Sequence, residues 1–267
     1  MSDQQDRRQP AAVGDDVPAS HRFWDALAGG TDHRPADLRA AAEVERLFPE
    51  LVAGARATRP FQARVVRHLV EAGVRQFIDL GTGLPSAGNT HRLAQDLAPD
   101  ARIVSVDIDP RLIRHVSALM PSSSEGAADY VAADIRDVDA VLDRAAATLD
   151  LARPVAVLAM SMLGHLPPGT APGVVRRYTA ALAPGSHLAV CDSWAGAPGV
   201  TEASDAYNAT GAMPYHLFAS LDELADTAAG LTILDPGVVP VDHWRPDTPA
   251  PAPGPGVGQF GLLAVKD

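Results

Sequence analysis

Three short segments carry residue types suited to holding a nucleoside: Asp79-Leu80-Gly81-Thr82-Gly83-Leu84-Pro85-Ser86, Asp107-Ile108-Asp109-Pro110 and Asp134-Ile135-Arg136-Asp137. Glycines let a backbone turn sharply and approach a ligand closely. A carboxylate at Asp107 can accept hydrogen bonds from both hydroxyls of a ribose. One at Asp134 can accept from an adenine amino group, because an ionised acid only accepts. Each signal alone is weak. A Gly-x-Gly is often a tight turn, and Asp107 or Asp134 can simply cap a turn or helix. Together, in this order along the chain, they point to a nucleoside-bearing cofactor.

The type of cofactor follows from charge. Gly81-x-Gly83-x-x-Ser86 nearly satisfies the dinucleotide fingerprint, and Asp107 follows it at roughly the twenty-residue spacing that fingerprint expects, so an NAD-type oxidoreductase stays open. Against it, Asp79 precedes the first glycine, where a carboxylate would face a pyrophosphate. Pro85 also removes a backbone N–H from the loop. S-adenosylmethionine (SAM) carries an ammonium and a sulfonium and no phosphate, and a carboxylate-rich site suits it.

These segments need elements to position them. Gln76–Leu80, Ile103–Val106, Tyr130–Ala132, Val155–Met160 and Ser186–Val190 read as apolar strands. They alternate with helices expected at Thr90–Ala98, Pro110–Met120, Ala140–Ala147 and Pro172–Leu182. Near-continuous apolar strands alternating with helices predict a doubly wound, mostly parallel α/β sheet, Rossmann-like, with ligands beyond the C-terminal strand ends. Leu231–Leu234, extended through Val238–Val241, and Gly261–Val265 are strands with a Pro-rich loop and no helix between them, which suggests an antiparallel addition at the sheet edge. Upstream, residues 20–28, 35–53 and 58–72 read as helices. The expected organisation is a disordered tail at 1–18, an N-terminal helical extension at 19–72 packing over the cofactor site, and a SAM-binding domain at 73–267 with an irregular substrate-side insert at 193–220.

Composition bounds the partners. The 267 residues carry 22 basic and 33 acidic side chains, a formal charge of −11. An acidic chain without a basic patch repels phosphate backbones, so nucleic acid is not expected as a partner. No signal-peptide pattern and no long apolar run exist, so a cytoplasmic protein without a membrane span is expected. Cys191 is the one cysteine. It permits no intrachain disulfide, and with scattered histidines it leaves no metal-ligand spacing.

Phe77-Ile-Asp-Leu-Gly-Thr-Gly-Leu-Pro, Val104-Ser-Val-Asp-Ile-Asp-Pro and Ala133-Asp-Ile-Arg-Asp resemble the motifs of class I SAM-dependent methyltransferases. More narrowly, the chain is similar to a bacterial S-adenosyl methyltransferase family formerly catalogued as a domain of unknown function. That resemblance runs from about residue 20 to the C-terminus. It includes Asp25-Ala-Leu-Ala-Gly-Gly-Thr-Asp, Arg56-Ala-Thr-Arg-Pro-Phe, Leu182-Ala-Pro-Gly-Ser, Pro236-Gly-Val-Val-Pro-Val and His243-Trp-Arg-Pro-Asp. It implies a seven-stranded sheet with the last strand antiparallel. The three matched cofactor loops and the acidic surface make methyl transfer from SAM to a small-molecule acceptor the leading expectation. The resemblance assigns the Asp79–Gly83 loop, with Gly81 and Thr82, to the methionyl part, Asp107 to the ribose, and Asp134 with Ile135 to adenine; Pro85, Ile108 and Asp109 are expected at the cofactor site as well. Met160 and Ser161 would line the sulfonium end. The chain departs from the family at Thr31-Asp32-His33, at Thr58, and at His165, which stands one residue later than the family's usual histidine. A SAM-binding module without methyl transfer is the alternative those departures raise.

On the acceptor side, His165 is the histidine best placed to act as a base, and Asp192 follows the fifth strand. His21, Trp24, Arg59, Trp194, Tyr207 and His216 are expected to line or roof the acceptor pocket.

Overall fold

The computed structural model describes residues 16–85, 88–248 and 258–267. Ser86, the Pro-rich loop from 249 to 257 and most of the expected tail lie outside them. Three N-terminal helices come first: α1 (Ser20–Ala28), α2 (Pro35–Leu47) and α3 (Glu50–Glu71). The expected break at 54–57 is absent, and α3 runs through Gly54 and Pro60. Its buried stripe (Leu51, Ala55, Phe61, Val65, Val66, Leu69 and Val70) recurs at helical spacing. That burial outweighs the cost of one helical glycine, about 1 kcal/mol.

The alternation follows as β1 (Gln76–Leu80), α4 (Thr90–Leu97), β2 (Arg102–Asp107), α5 (Pro110–Leu119), β3 (Ala127–Ala132), α6 (Val138–Ala145), β4 (Ala156–Met160), α7 (Ala171–Ala181) and β5 (His187–Ser193). A single 3-10 turn, Leu163–His165, lies between β4 and α7. Then come α8 (Val200–Asn208), α9 (Leu221–Asp226), β6 (Thr232–Ile233), β7 (Val239–Pro240) and β8 (Gln259–Val265). The sheet order is β3-β2-β1-β4-β5-β8-β6. β1 to β5 pair in parallel, and β8 is antiparallel to β5. The long sixth strand expected at 231–241 is two short pieces on one edge of β8, separated at Asp235-Pro236-Gly237. The edge position is thus filled twice, and the seven-position sheet stands.

Side chains alternate across each strand. In β1, Ile78 and Leu80 join the core under α6 and α7, while Phe77 joins the core under α3 and α4. Asp79 shares the face of Phe77, which turns its carboxylate toward α3 and α4. On that face α3 packs close: a Cβ at Gly261 of β8 would stand 2.6 Å from the ring of the fully buried Phe61. We therefore expect Gly261→Val to lower stability by about 1–3 kcal/mol, the usual range for overpacking, read as a drop in the urea midpoint.

A separate apolar cluster joins Phe23 and Leu27 of α1, Val44 of α2, Leu51 of α3 and Val200, Ala203 and Tyr207 of α8. The insert at 193–220 is therefore not wholly irregular. Val200, Ala203 and Tyr207 recur along one helix face and bury against the N-terminal helices. Fully buried Asp37 ties α1 to α2, accepting from the backbone of Ala19 at 2.9 Å and of Arg34 at 2.7 Å, and from Arg22 Nε at 2.7 Å.

Candidate functional site

A cavity of about 1380 Å³ opens at the C-terminal ends of β1 to β4, under α1 and the segment 211–216. All twelve residues expected to touch the cofactor line it: Asp79, Gly81, Thr82, Gly83, Pro85, Asp107, Ile108, Asp109, Asp134, Ile135, Met160 and Ser161. The first loop is held from two sides. Gly81 N–H and Thr82 N–H donate to the Val106 carbonyl of β2, at 2.8 and 3.3 Å, and Asn89 Nδ2 donates to the Thr82 carbonyl at 3.1 Å. Those backbone donors are engaged inside the protein and cannot cradle a diphosphate. Gly81 has φ +83°, and a Cβ there would meet Met162 Sδ at 2.7 Å. Gly81→Ala should therefore shift the loop and weaken cofactor binding at least tenfold by calorimetry, while the sheet stays folded by circular dichroism.

Two carboxylates sit deep in this wall. Burial pushes Asp79 up to about 6, opposed by a hydrogen bond from Thr90 and by the Arg59 charge. Gln62 Nε2 donates to Thr90 Oγ1 at 2.7 Å, and Arg59 Nη1 donates to Gln62 Oε1 at 3.1 Å, so one chain of contacts runs from α3 to Asp79. Burial also pushes Asp107 up to about 6, against the Asp109 N–H, 3.0 Å from its Oδ1, and the Gly83 N–H. Carboxylates raised by burial gain from a cation or from hydroxyl donors brought beside them. At the third strand end Asp134 pairs with Arg136 at 2.7 Å, and Tyr178 Oη of α7 holds the Ile135 carbonyl at 2.8 Å. Ser161, at the end of β4, takes φ +52°, uncommon for a side-chain-bearing residue. Its Oγ donates to Gln259 Oε1 at 3.1 Å.

Of the acceptor-side expectations, His21, Trp24, Arg59, His165 and His216 line the cavity. Asp192, Trp194 and Tyr207 do not. β5 continues to Ser193, three residues beyond the expected end, pairing Asp192 with Phe260 of β8. Asp192 is therefore inside the sheet, where it accepts from Tyr215 Oη, Gly164 N–H and Ser193 N–H. Trp194 packs edge-on against Phe260, and Tyr207 against Phe23. Of the family departures, Thr58 lines the cavity and His33 stands 3.3 Å from Asp25 instead of facing it.

His165 has both ring nitrogens engaged. Nδ1 lies 2.8 Å from the Pro214 carbonyl and Nε2 lies 2.7 Å from Ser20 Oγ. A carbonyl only accepts, so Nδ1 carries the hydrogen and Nε2 presents its lone pair. Enclosure pushes the imidazole down to about 4, so it is neutral at pH 7. Ser20, Met162 and Pro214 also line the cavity and were not legible as site residues, whereas Met213 lines it from the insert expected to roof it. Val17 and Pro18, expected in the tail, line it too, and Pro18 is buried.

A doubly wound sheet with an antiparallel β8, carrying acids at three strand ends in one cavity, defines a class I SAM-dependent methyltransferase. The chain belongs to the S-adenosyl methyltransferase family, whose profile matches residues 6–267. It is similar to a DUF574-family protein from Streptomyces avermitilis MA-4680, with 36% identity and a TM-score of 0.87 over 94% of this chain and 98% of that one. A candidate methyltransferase from Thermobifida fusca YX is 34% identical, with a TM-score of 0.86 over 94% of this chain and 96% of that one. Mitomycin 7-O-methyltransferase shares the fold at 15% identity and a TM-score of 0.53, over 92% of this chain and 60% of that one. No curated protein matches the chain. SAM is the methyl donor, and the dinucleotide reading falls away.

Proposed function

We propose that the chain transfers the SAM methyl group to a small-molecule acceptor. The observation that carries this is one cavity lined both by the three strand-end acids and by His165. Its volume exceeds the roughly 300–1,000 Å³ of a pocket for one small ligand. Room remains for an acceptor beside the cofactor. The acidic chain adds nothing that would attract nucleic acid. Among the described residues no helix is long and apolar enough to cross a membrane.

In this reading Asp79 faces the ammonium of SAM, Asp107 the ribose hydroxyls, and Asp134 with Ile135 the adenine. Met160 and Ser161 stand at the sulfonium end. Bound SAM supplies the electrophilic methyl group. The protein's own share is to hold the acceptor against it and exclude water. α1 and α3 of the 19–72 extension, with the segment 211–216 of the insert, form the cap over the site. His165 meets the acceptor, whereas Asp192 positions the turn that carries it. The test is calorimetry with SAM, followed by detection of S-adenosylhomocysteine released in the presence of acceptors. Absence of SAM binding would end this assignment, and release that depends on a folded RNA or DNA in place of a small molecule would overturn the acceptor class.

A further inference from the structure

Strand order divides the cavity. β2 and β3 lie to one side of β1, and β4 lies to the other. The charged side chains rise from the first side, from α3 and from α1: Asp107, Asp109 and Arg111, Asp134 and Arg136, Arg59 beside Asp79, and Asp25. Arg111 pairs with Asp109 at 3.1 Å and Arg136 with Asp134 at 2.7 Å. From β4 onward the described lining changes character. Met160, Met162, Leu166, Pro167, Met213 and Pro214 are apolar, and the polar groups among them are hydroxyls, imidazoles and backbone. No lysine or arginine lines that half among the described residues.

The Ser20–His165 pair sets what this half asks of a ligand. His165 Nδ1–H is fixed on the Pro214 carbonyl, so Nε2 can only accept. Ser20 therefore donates its hydroxyl hydrogen to Nε2; the buried Tyr207 hydroxyl also meets Ser20, which leaves one lone pair of Ser20 Oγ for a ligand. A carboxylate acceptor, which brings only lone pairs and negative charge, finds neither donor nor cation in this pair. A group with its own hydrogen fits it.

Resting on the methyltransferase reading above, the geometry points to an uncharged, largely apolar acceptor that presents a hydroxyl to Ser20, with Ser20 and His165 relaying its proton. In that step the acceptor O–H gives its hydrogen to Ser20 Oγ, and Ser20 passes its own to His165 Nε2. The acceptor oxygen forms a bond to the methyl carbon of SAM. The carbon–sulfur bond breaks with its electron pair left on sulfur, giving S-adenosylhomocysteine. The imidazolium then returns the proton to water as the methyl ether leaves.

The test uses the full-length protein with phenol, 2-naphthol and 2-hydroxyanthracene, each beside its carboxylic acid counterpart, and SAM as donor. Calorimetry with SAM is run on every variant, so a failure of cofactor binding is told apart from a failure of acceptor choice. The expected result is methyl ether from at least one phenol and no methyl ester from the acids. Ser20→Ala should cut the rate at least tenfold and His165→Gln at least a hundredfold, with SAM affinity within threefold of wild type. Nitrogen NMR of the S-adenosylhomocysteine complex should show His165 as the Nδ1–H tautomer, with Nε2 shifting on addition of a phenol. The proposal is overturned if the acids react as fast as the phenols, if Ser20→Ala leaves the rate unchanged, or if SAM binds while no phenol reacts or moves the Nε2 signal.

Discussion

Asp107→Ala is expected to weaken SAM binding on the order of a hundredfold. Hydrogen bonds to a charged group contribute about 1.5–3 kcal/mol, and about 1.4 kcal/mol is a factor of ten. A carboxylate that grips two hydroxyls and loses both therefore costs at least two decades of affinity. Asp107→Asn keeps the shape and an accepting oxygen, so it should recover part of the loss. The same site carries a pH signature. Asp79 and Asp107 are both raised to about 6 by burial, with Arg59 and Thr90 facing the first and Asp109 and the Gly83 N–H facing the second. A folded-state value above the unfolded one of about 3.9 stabilises the ligand-free fold at low pH, and that contribution fades as pH rises through 6. Bound SAM favours the ionised forms, so the dependence of affinity has the opposite sign. Calorimetry should show binding weaken as pH drops below about 6, while melting of the ligand-free protein moves upward. Tighter SAM binding at pH 5 than at pH 7 would contradict the assignment of these acids to the cofactor.

The second large effect belongs to a residue outside the cavity. Asp192 is fully buried and accepts from Tyr215 Oη and from the backbone of Gly164, Ser193 and Leu163. Asp192→Ala removes the acceptor and leaves those donors buried without one, at about 1–3 kcal/mol each where nothing replaces it. We expect a loss on the order of 3 kcal/mol, or roughly 6–12 °C in Tm for a chain of this size. Gly164 belongs to the turn that carries His165, and Tyr215 packs edge-on against the His165 ring at 5.1 Å. In the protein that remains folded, KM for the acceptor should rise more than Kd for SAM. Equal loss of both would mean that Asp192 supports the whole site and not this turn.

How much of this was legible beforehand depends on how local each feature is. The strand-end side of the cavity was readable because its acids sit immediately after apolar strands, and strand ends are marked by a change in composition within one or two residues. Asp79, Asp107 and Asp134 needed no knowledge of distant contacts. The acceptor half is different. Ser20 and His165 meet across 145 positions of chain, and nothing around Ser20 distinguishes it from an ordinary start of a helix. Asp192 was placed beyond the fifth strand because the apolar run stops at Val190. Pairing with β8 carries the strand to Ser193 regardless of that polarity, and so draws the carboxylate indoors. Trp194 and Tyr207 had the composition of a pocket roof, but their positions follow from β5 and α8, which aim them into packed clusters. The two-piece sixth strand was obscured for a similar reason: its pairing is set by β8, not by its own residues.

The two partners of His165 come from segments that share no neighbourhood in the chain, one at the start of α1 and one just before Tyr215. The accepting nitrogen is thus defined by the meeting of both segments and by neither alone. Inheritance of the two halves of the protein can then proceed at different tempos. Substitutions in the cap can exchange one acceptor for another while the strand-end acids stay as they are. Relatives that share the donor loops can in this way part company in what they methylate, and similarity across the sheet alone is a poor guide to the product.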